Sequence, residues 1–323
     1  MDMETRKITV CQDGRGMVST IKEAFALAQE TAKESAVEIH IGAGIYREKL
    51  ELERDYVTLI GDSPENTCIE FDDYALFMMP DGVKRGTFRS YTVYIHGTEI
   101  TVKNLTFCNS AGFGAKVGQG LAMYADGARM TFENCRFLGR QDTLFTAPLP
   151  PTVVEWGGFR GPGETRPRDN GIHYYKNCYL EGDVDFIFGG ATAFFEECEI
   201  KSLDRGQEVN GYVTAASTPE GREYGYVFDR CRFTSDCAPE TVYLGRPWRS
   251  FAKTVIMRSE LGAHIKKEGW HDWNKEDARE QAFYAEYHNF GPGAAPTERV
   301  AWSHQLTDEE ARHFTKEKVL DIK

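Results

Sequence analysis

Hydrophobic and polar positions alternate in five short segments of this 323-residue chain: ITVKNLTFCN, MTFENCRFLG, HYYKNCYLEG, AFFEECEIKS and YVFDRCRFTS, anchored at Asn104, Asn134, Asn177, Glu197 and Arg230. The steps between anchors are 30, 43, 20 and 33 residues. Alternation rich in β-branched and aromatic residues, closed by polar or glycine-containing turns, predicts a short strand in each segment. A constant motif at irregular steps predicts an all-β chain wound as a parallel β-helix. Each coil of such a solenoid needs roughly 20 residues, and longer steps expel loops from one side, commonly the binding side. The longest excess, from Ala147 to Gly171, is rich in proline and glycine and carries Trp156, Phe159 and Arg160. It reads as an ordered loop bordering a cleft or, alternatively, as a spacer.

Upstream, VEIHIGAGIYREKLEL and DYVTLIGDS read as the first coils, preceded by a helix. Thr20 and Glu23 form a capping box, and Ala24, Phe25, Leu27 and Ala28 give that helix an apolar face with which to plug one end of the solenoid. After about Ser250 the strand pattern gives way to a tail with a second box, Thr307 to Glu310, expected to cover the other end. About 150 residues per domain would suggest two domains. The continuous repeat favours one domain over residues 1–323 with two caps.

Composition narrows the function. A formal charge of −12 and a pI near 5.3 exclude nucleic acid and anionic membrane surfaces as long-range partners, so a neutral or partly neutralised substrate fits better. The chain has no run of 18 apolar residues, and MDMETRKITV has no apolar stretch after a basic start. As written the chain is expected in the cytoplasm, the alternative being secretion with a leader that is absent from this chain. Of eight cysteines, Cys135, Cys178, Cys198 and Cys231 share one repeated position, which predicts a ladder of small buried side chains rather than disulfides. No CxxC occurs and the histidines lack metal-like spacing, so no metal site is expected.

Candidate chemistry comes from a gapless match. FENCRFLGRQDTLF and YKNCYLEGDVDFIF align from Asn134 with Asn177 to Phe145 with Phe188, an offset of 43 that puts Asp142 and Asp185 in the same phase. On neighbouring parallel strands about 4.8 Å apart, two carboxylates on one face lie within mutual electrostatic reach. One pKa is then driven up while the other stays low, which lets one group serve as an acid and its neighbour as a base or nucleophile. Asp183, opposite Arg140, falls out of phase. Gln119 and Gln141 offer uncharged donors suited to an oxyanion. Arg246 offers a fork that holds a carboxylate ionised. Trp248, with Trp270 and Trp273, offers flat apolar surface for a sugar ring. Read singly, each of these residues has a bland alternative, as an inter-coil polar ladder or a core aromatic.

Taken together and in order, QGLAM, GRQDTLF, GDVDFIFGGATAFFEECEI, YLGRPWR and GWHDW resemble the signatures of the pectin methylesterases, and GAGIYREKL resembles that family's glycine, tyrosine and glutamate segment, which includes Tyr46. The motifs run from about residue 40 to 300. The resemblance implies a right-handed, single-stranded parallel β-helix. It further implies hydrolysis of the C6 methyl ester of galacturonate in homogalacturonan, with methyl-esterified pectin or oligogalacturonide as substrate, no cofactor and a monomeric state. It places the nucleophile at Asp185, the general acid and base at Asp142, the oxyanion donors at Gln119 and Gln141, the orienting arginine at Arg246, and substrate contacts at Trp248, Trp270 and Tyr46. The segment between QDTLF and the second repeat is longer than in plant-like members.

Rival readings are weaker. A glycosidase could use paired carboxylates about 5 Å apart, but its cationic transition state has no use for the glutamines. A lyase would need a calcium site and a basic proton abstractor, a binding solenoid leaves the acid pair unexplained, and the GxSxG elbow of a serine esterase does not occur.

Overall fold

The structure is a computed structural model and describes residues 4–154 and 156–322; expectations that touch positions 1–3, 155 and 323 lie outside the described residues. Among the described residues the strands form three sheets of eleven, eight and seven members, and every pairing between these strands is parallel. One coil runs through Arg129–Glu133, Arg136–Leu138 and Leu144–Thr146, and the next through Ile172–Lys176, Tyr179–Gly182 and Val184–Gly189, one strand in each sheet. The chain is a parallel β-helix, as its periodicity predicts.

The repeated anchor has a conformational cause. Asn104, Asn134, Asn177, Glu197 and Arg230 all sit at φ between 51° and 56°, the left-handed region that asparagine tolerates better than most residues. Each makes the corner between a strand of the eleven-stranded sheet and one of the eight-stranded sheet. Asn134 Nδ2 donates to Asn104 Oδ1 at 2.7 Å, so the corner residues also bond from coil to coil. The register matches the alignment: Glu133 pairs with Lys176 and Phe145 with Phe188, both at an offset of 43.

Inside, Phe132, Tyr175, Phe195 and Phe228 pair in register and stack nearly parallel, with centroids 4.9, 4.6 and 4.4 Å apart. Cys135, Cys178, Cys198 and Cys231 are buried free thiols, each donating to a carbonyl one coil back: those of Val102, Phe132, Tyr175 and Phe195. The cysteine ladder is therefore a core feature.

The helix Ile21–Glu30 starts with the expected box at Thr20 and Glu23, and its apolar face packs on Thr5–Val10 and Leu50–Glu53, the terminal strands of two sheets. The far end departs from expectation. Strands continue past Ser250, with Lys253–Met257, Phe283–Tyr287 and His304–Gln305 extending the largest sheet. The corner positions there are Arg258 and His288, at φ 48° and 49°, so the turn persists with neither the asparagine nor the following cysteine, at least one of which marks each of the five earlier corners. Of the region after Ser250 that was expected to cover the far end, Ala294, Val300 and Trp302 pack against the inner core, whereas the part after the Thr307–Glu310 box lies elsewhere. Ala311, Val319 and Leu320 pack on the outer face of the largest sheet against Phe194, Val227, Val255 and Ala285, and Lys316 pairs with Glu196 at 3.2 Å. Outward-facing apolar residues alternating with the inner stack leave that flank in need of cover.

A second outer face matters more for function. Tyr94, Tyr124, Phe145 and Phe188 pair in register along the outside of the seven-stranded sheet, and Phe88, Leu149 and Phe159 cover them. Phe195→Ala, which opens a void at the middle of the inner stack, is expected to lower stability by about 3–5 kcal/mol. Chemical denaturation measures this, and a loss below about 1 kcal/mol would show that the stack is not the core.

Candidate active site

Asp142 and Asp185 lie just ahead of, and within, paired strands of the seven-stranded sheet. The Asp142 amide donates to the Val184 carbonyl at 3.0 Å. Both aspartates are left-handed, at φ 64° and 52°, a conformation disfavoured for residues with a Cβ and tolerated where surroundings over-determine it. A register shift between Val184 and Ile187 places a bulge at Asp185, the kind of irregularity that re-aims a side chain. Successive coils then deliver the other groups. Gly120 donates to the Gln141 carbonyl, and Arg246 donates through its backbone to Thr214, whose strand pairs with the one carrying Asp185.

These residues meet in one cleft of roughly 510 Å³, lined among others by Gln119, Gln141, Asp142, Asp185, Arg246 and Trp248. Arg246 grips Asp185 with both arms, Nε to Oδ1 at 2.8 Å and Nη2 to Oδ2 at 2.7 Å. Its guanidinium is sandwiched between Tyr212 and Trp273, 3.8 and 3.7 Å from the ring centroids, which fixes the fork where solvent would let it swing. Trp248 is half-buried and packs on the outer aromatic face, 6.2 Å from Phe88 and 5.7 Å from Phe188.

Electrostatics separates the two acids. Burial lifts Asp142 well above the usual carboxylate range, the charge of Asp185 adds to the lift, and Arg246 only partly offsets them. Burial also lifts Asp185, but there Arg246 opposes it both by charge and by two hydrogen bonds, with Lys275 adding a further cation. Of the two, Asp142 therefore holds a proton more readily and Asp185 ionises first. Asp183 turns away, its backbone paired with Arg140 and its carboxylate 3.6 Å from the Arg140 guanidinium.

Two expected substrate contacts are corrected. Trp270 is 1% exposed and stacks on Tyr284 at 4.5 Å inside the solenoid, and Tyr46 is 1% exposed with its hydroxyl donating to the Gly42 carbonyl. Side chains enclosed in the core cannot meet a polymer. Trp273, three residues after Trp270, reaches the cleft instead. Tyr212, Lys275 and Arg249 also belong to the site and were not singled out from the sequence. Tyr212 was recoverable from register, since it pairs with Val184 next to Asp185, whereas Lys275 and Arg249 carried no periodic signal. The Pro- and Gly-rich segment does border the cleft, through Val153, Val154, Gly158 and Phe159, while Trp156 stands 87% exposed with Arg160 over its ring. Among the described residues no group of three or more His, Cys, Asp or Glu could hold a metal ion, and no helix is long and apolar enough to cross a membrane.

A parallel β-helix with an acid pair in an aromatic-walled cleft has the groups for acid–base chemistry, a class that the fold alone does not narrow to one reaction. Comparison with known proteins narrows the class. The Pectinesterase family model matches residues 7–149 and 169–323, leaving 150–168 unmatched. Pectinesterase 31 of Arabidopsis thaliana is 35% identical over 98% of this chain and 93% of its own length. Among solved structures, the pectin methylesterase from carrot superposes with a TM-score of 0.81 at 30% identity, over 97% of this chain and 92% of its own. The pectin methylesterase from Erwinia chrysanthemi gives 0.80 at 28%, over 98% and 97%. The chain belongs to the pectinesterase family and is a carboxylic ester hydrolase.

Because Arg246 favours the ionised form of Asp185, Arg246→Lys, which loses the fork and the ring sandwich, is expected to raise the Asp185 pKa. The acidic limb of kcat/KM against pH should move to higher pH. An unmoved limb together with normal activity would remove Arg246 from the site.

Proposed function

We propose that this chain removes the C6 methyl ester of galacturonate units in pectin or its oligosaccharides, with Asp185 as nucleophile and Asp142 as general acid and base. The observation that carries the reading is the asymmetry of the pair, an ionised carboxylate clamped by Arg246 beside a protonated one without a cationic partner of its own. Paired glutamines at the same cleft suit an oxyanion, and a solved pectin methylesterase in complex with a hexasaccharide shares the fold at a TM-score of 0.80 and 28% identity.

In the first step an Asp185 oxygen bonds to the ester carbonyl carbon, and the oxyanion takes hydrogen bonds from the amides of Gln119 and Gln141. As the tetrahedral centre collapses, the bond to the methoxy oxygen breaks and Asp142 gives its proton to the departing methanol, leaving an acyl-aspartate anhydride. Asp142, now a base, takes a proton from water, the hydroxide bonds to the acyl carbon, and Asp185 leaves as carboxylate with the free galacturonate. The raised pKa of Asp142 suits it to supply the proton. The lower one of Asp185 supplies the nucleophile.

Trp248 and Trp273 give the sugar chain its apolar wall. On this reading residues 1–323 act as one domain and as a monomer. A polymeric wall substrate favours the secreted alternative over a cytoplasmic site of action.

Incubation with highly methylated pectin, without added metal, is expected to release methanol and no new reducing ends. Reducing ends without methanol would transfer the protein to the glycosidases or lyases. Asp185→Asn is expected to stay folded and lose about a thousandfold or more in kcat, and Asp142→Asn about 10²–10⁴-fold; appreciable methanol release by Asp185→Asn would sink the assignment. Asp142 also makes a stability prediction. A folded-state pKa above the unfolded value means that its contribution is present below the unfolded pKa and lost as pH rises through the folded one. Asp142→Asn, neutral at every pH, should therefore flatten the decline in melting temperature on going from acid to neutral pH.

A further inference from the structure

Gln119 reaches the cleft from residues 118–121, a stretch that belongs neither to the helix Gly114–Val117 before it nor to the strand Met123–Gly127 after it. No sheet ladder therefore fixes its aim, yet a donor to an oxyanion works only when it is aimed. One buried side chain supplies the missing constraint. Asn109, which ends the strand Thr106–Asn109, is 6% exposed and has no part in the chemistry proposed above. Its Nδ2 donates to the carbonyls of Asp73, Ser90 and Leu121 at 2.9, 3.0 and 3.3 Å, and its Oδ1 accepts from the Ala111 amide at 3.1 Å.

Those carbonyls come from three segments remote in sequence, and backbone bonds join the same three. The Ala75 amide donates to the Gln119 carbonyl at 2.9 Å, and the Thr92 amide donates to the Leu121 carbonyl at 2.8 Å. Asp73 is anchored in turn, its carboxylate held by Lys49 at 2.6 Å and by Arg85 at 2.5 Å. Contact adds to bonding. A Cβ on Gly120 would fall 2.6 Å from Asn109 Oδ1, so the Asn109 amide lies against the residue that follows Gln119. The Gly120 amide donates to the Gln141 carbonyl at 3.1 Å, which ties the two oxyanion donors to each other. An amide suits this place because it donates twice and accepts as well, whereas an aspartate of the same shape would turn an oxygen toward three carbonyls.

We propose that Asn109 is a positioning residue: it sets the 118–121 stretch so that the Gln119 amide meets the oxyanion, without itself touching substrate. The inference rests on the oxyanion role of Gln119 in the esterase reading, and a signal from the Gln119 side chain separates the two.

Asn109→Ala is expected to lower kcat on methylated pectin about ten- to a hundredfold while KM stays within about twofold, because an oxyanion donor acts in the transition state rather than on bound substrate. Gly120→Ala, whose methyl group would press on Asn109 Oδ1, should show the same split, and it carries the test alone if Asn109→Ala does not fold. In a Gln119→Ala background either change should cost less than about twofold more, since a donor already removed cannot be misaimed. In protein that a melting curve shows to be folded, no loss of kcat, a higher KM with kcat kept, or a loss as large in the Gln119→Ala background as in wild type overturns the role. The side-chain amide resonance of Gln119 in a ¹⁵N-labelled sample, assigned by its absence from Gln119→Ala, should shift in both variants while that of Gln29 on the capping helix stays. An unmoved Gln119 resonance overturns the role as well. If wild-type protein releases no methanol while that resonance still shifts, the positioning stands and the esterase reading falls.

Discussion

Parallel register between consecutive coils is the constraint on which everything else depends. Because Leu144–Thr146 pairs with Val184–Gly189 at an offset of 43, Asp142, just ahead of the first strand, is brought beside Asp185, near the start of the second. A slip of one residue would reverse inside and outside along the strand, exposing the inner face and burying polar groups. The stacked rings of Phe132, Tyr175, Phe195 and Phe228 and the thiol ladder make such a slip costly, and they do so at a distance from the chemistry. The core thus sets the separation of the acids without touching them.

The site itself runs against local preference. Two aspartates adopt left-handed backbone, a bulge interrupts the sheet at Asp185, and two carboxyl groups are buried side by side. Each of these features is unfavourable in isolation. They persist because the outer aromatic face, from Tyr94 to Phe188, anchors the strands that carry them and because Arg246, wedged between Tyr212 and Trp273, offsets the charge on Asp185. Such strain is expected where a fold is shaped for a reaction rather than for stability alone.

Residues 150–168 show how a solenoid acquires individuality. A coil tolerates insertion at its corners because the loop leaves the strands' hydrogen bonding intact. Here the extra chain is tied down, with Phe159 in the outer aromatic cluster and Arg166 paired with Glu53 at 2.7 Å, so it adds a wall to the cleft.

The sequence by itself determined the coil repeat, the corner residues, the cysteine ladder, both capping boxes and the pairing of Asp142 with Asp185. These are properties of period and spacing, and a parallel sheet copies spacing directly into space. Tertiary structure alone decided which aromatics face the cleft. Trp270 and Trp273 stand three residues apart in one motif, yet one is sealed against Tyr284 while the other lies over Arg246, because Trp270 bridges to Gly245 in the coil while Trp273 sits in the turn that the Lys275 amide closes on the Asp272 carbonyl. It also decided that the tail lies along a flank, where apolar residues on the outside of the largest sheet needed cover, and that Arg249 and Lys275 converge on the acid pair. Those placements depend on how coils and loops pack against one another, and no period in the chain records that.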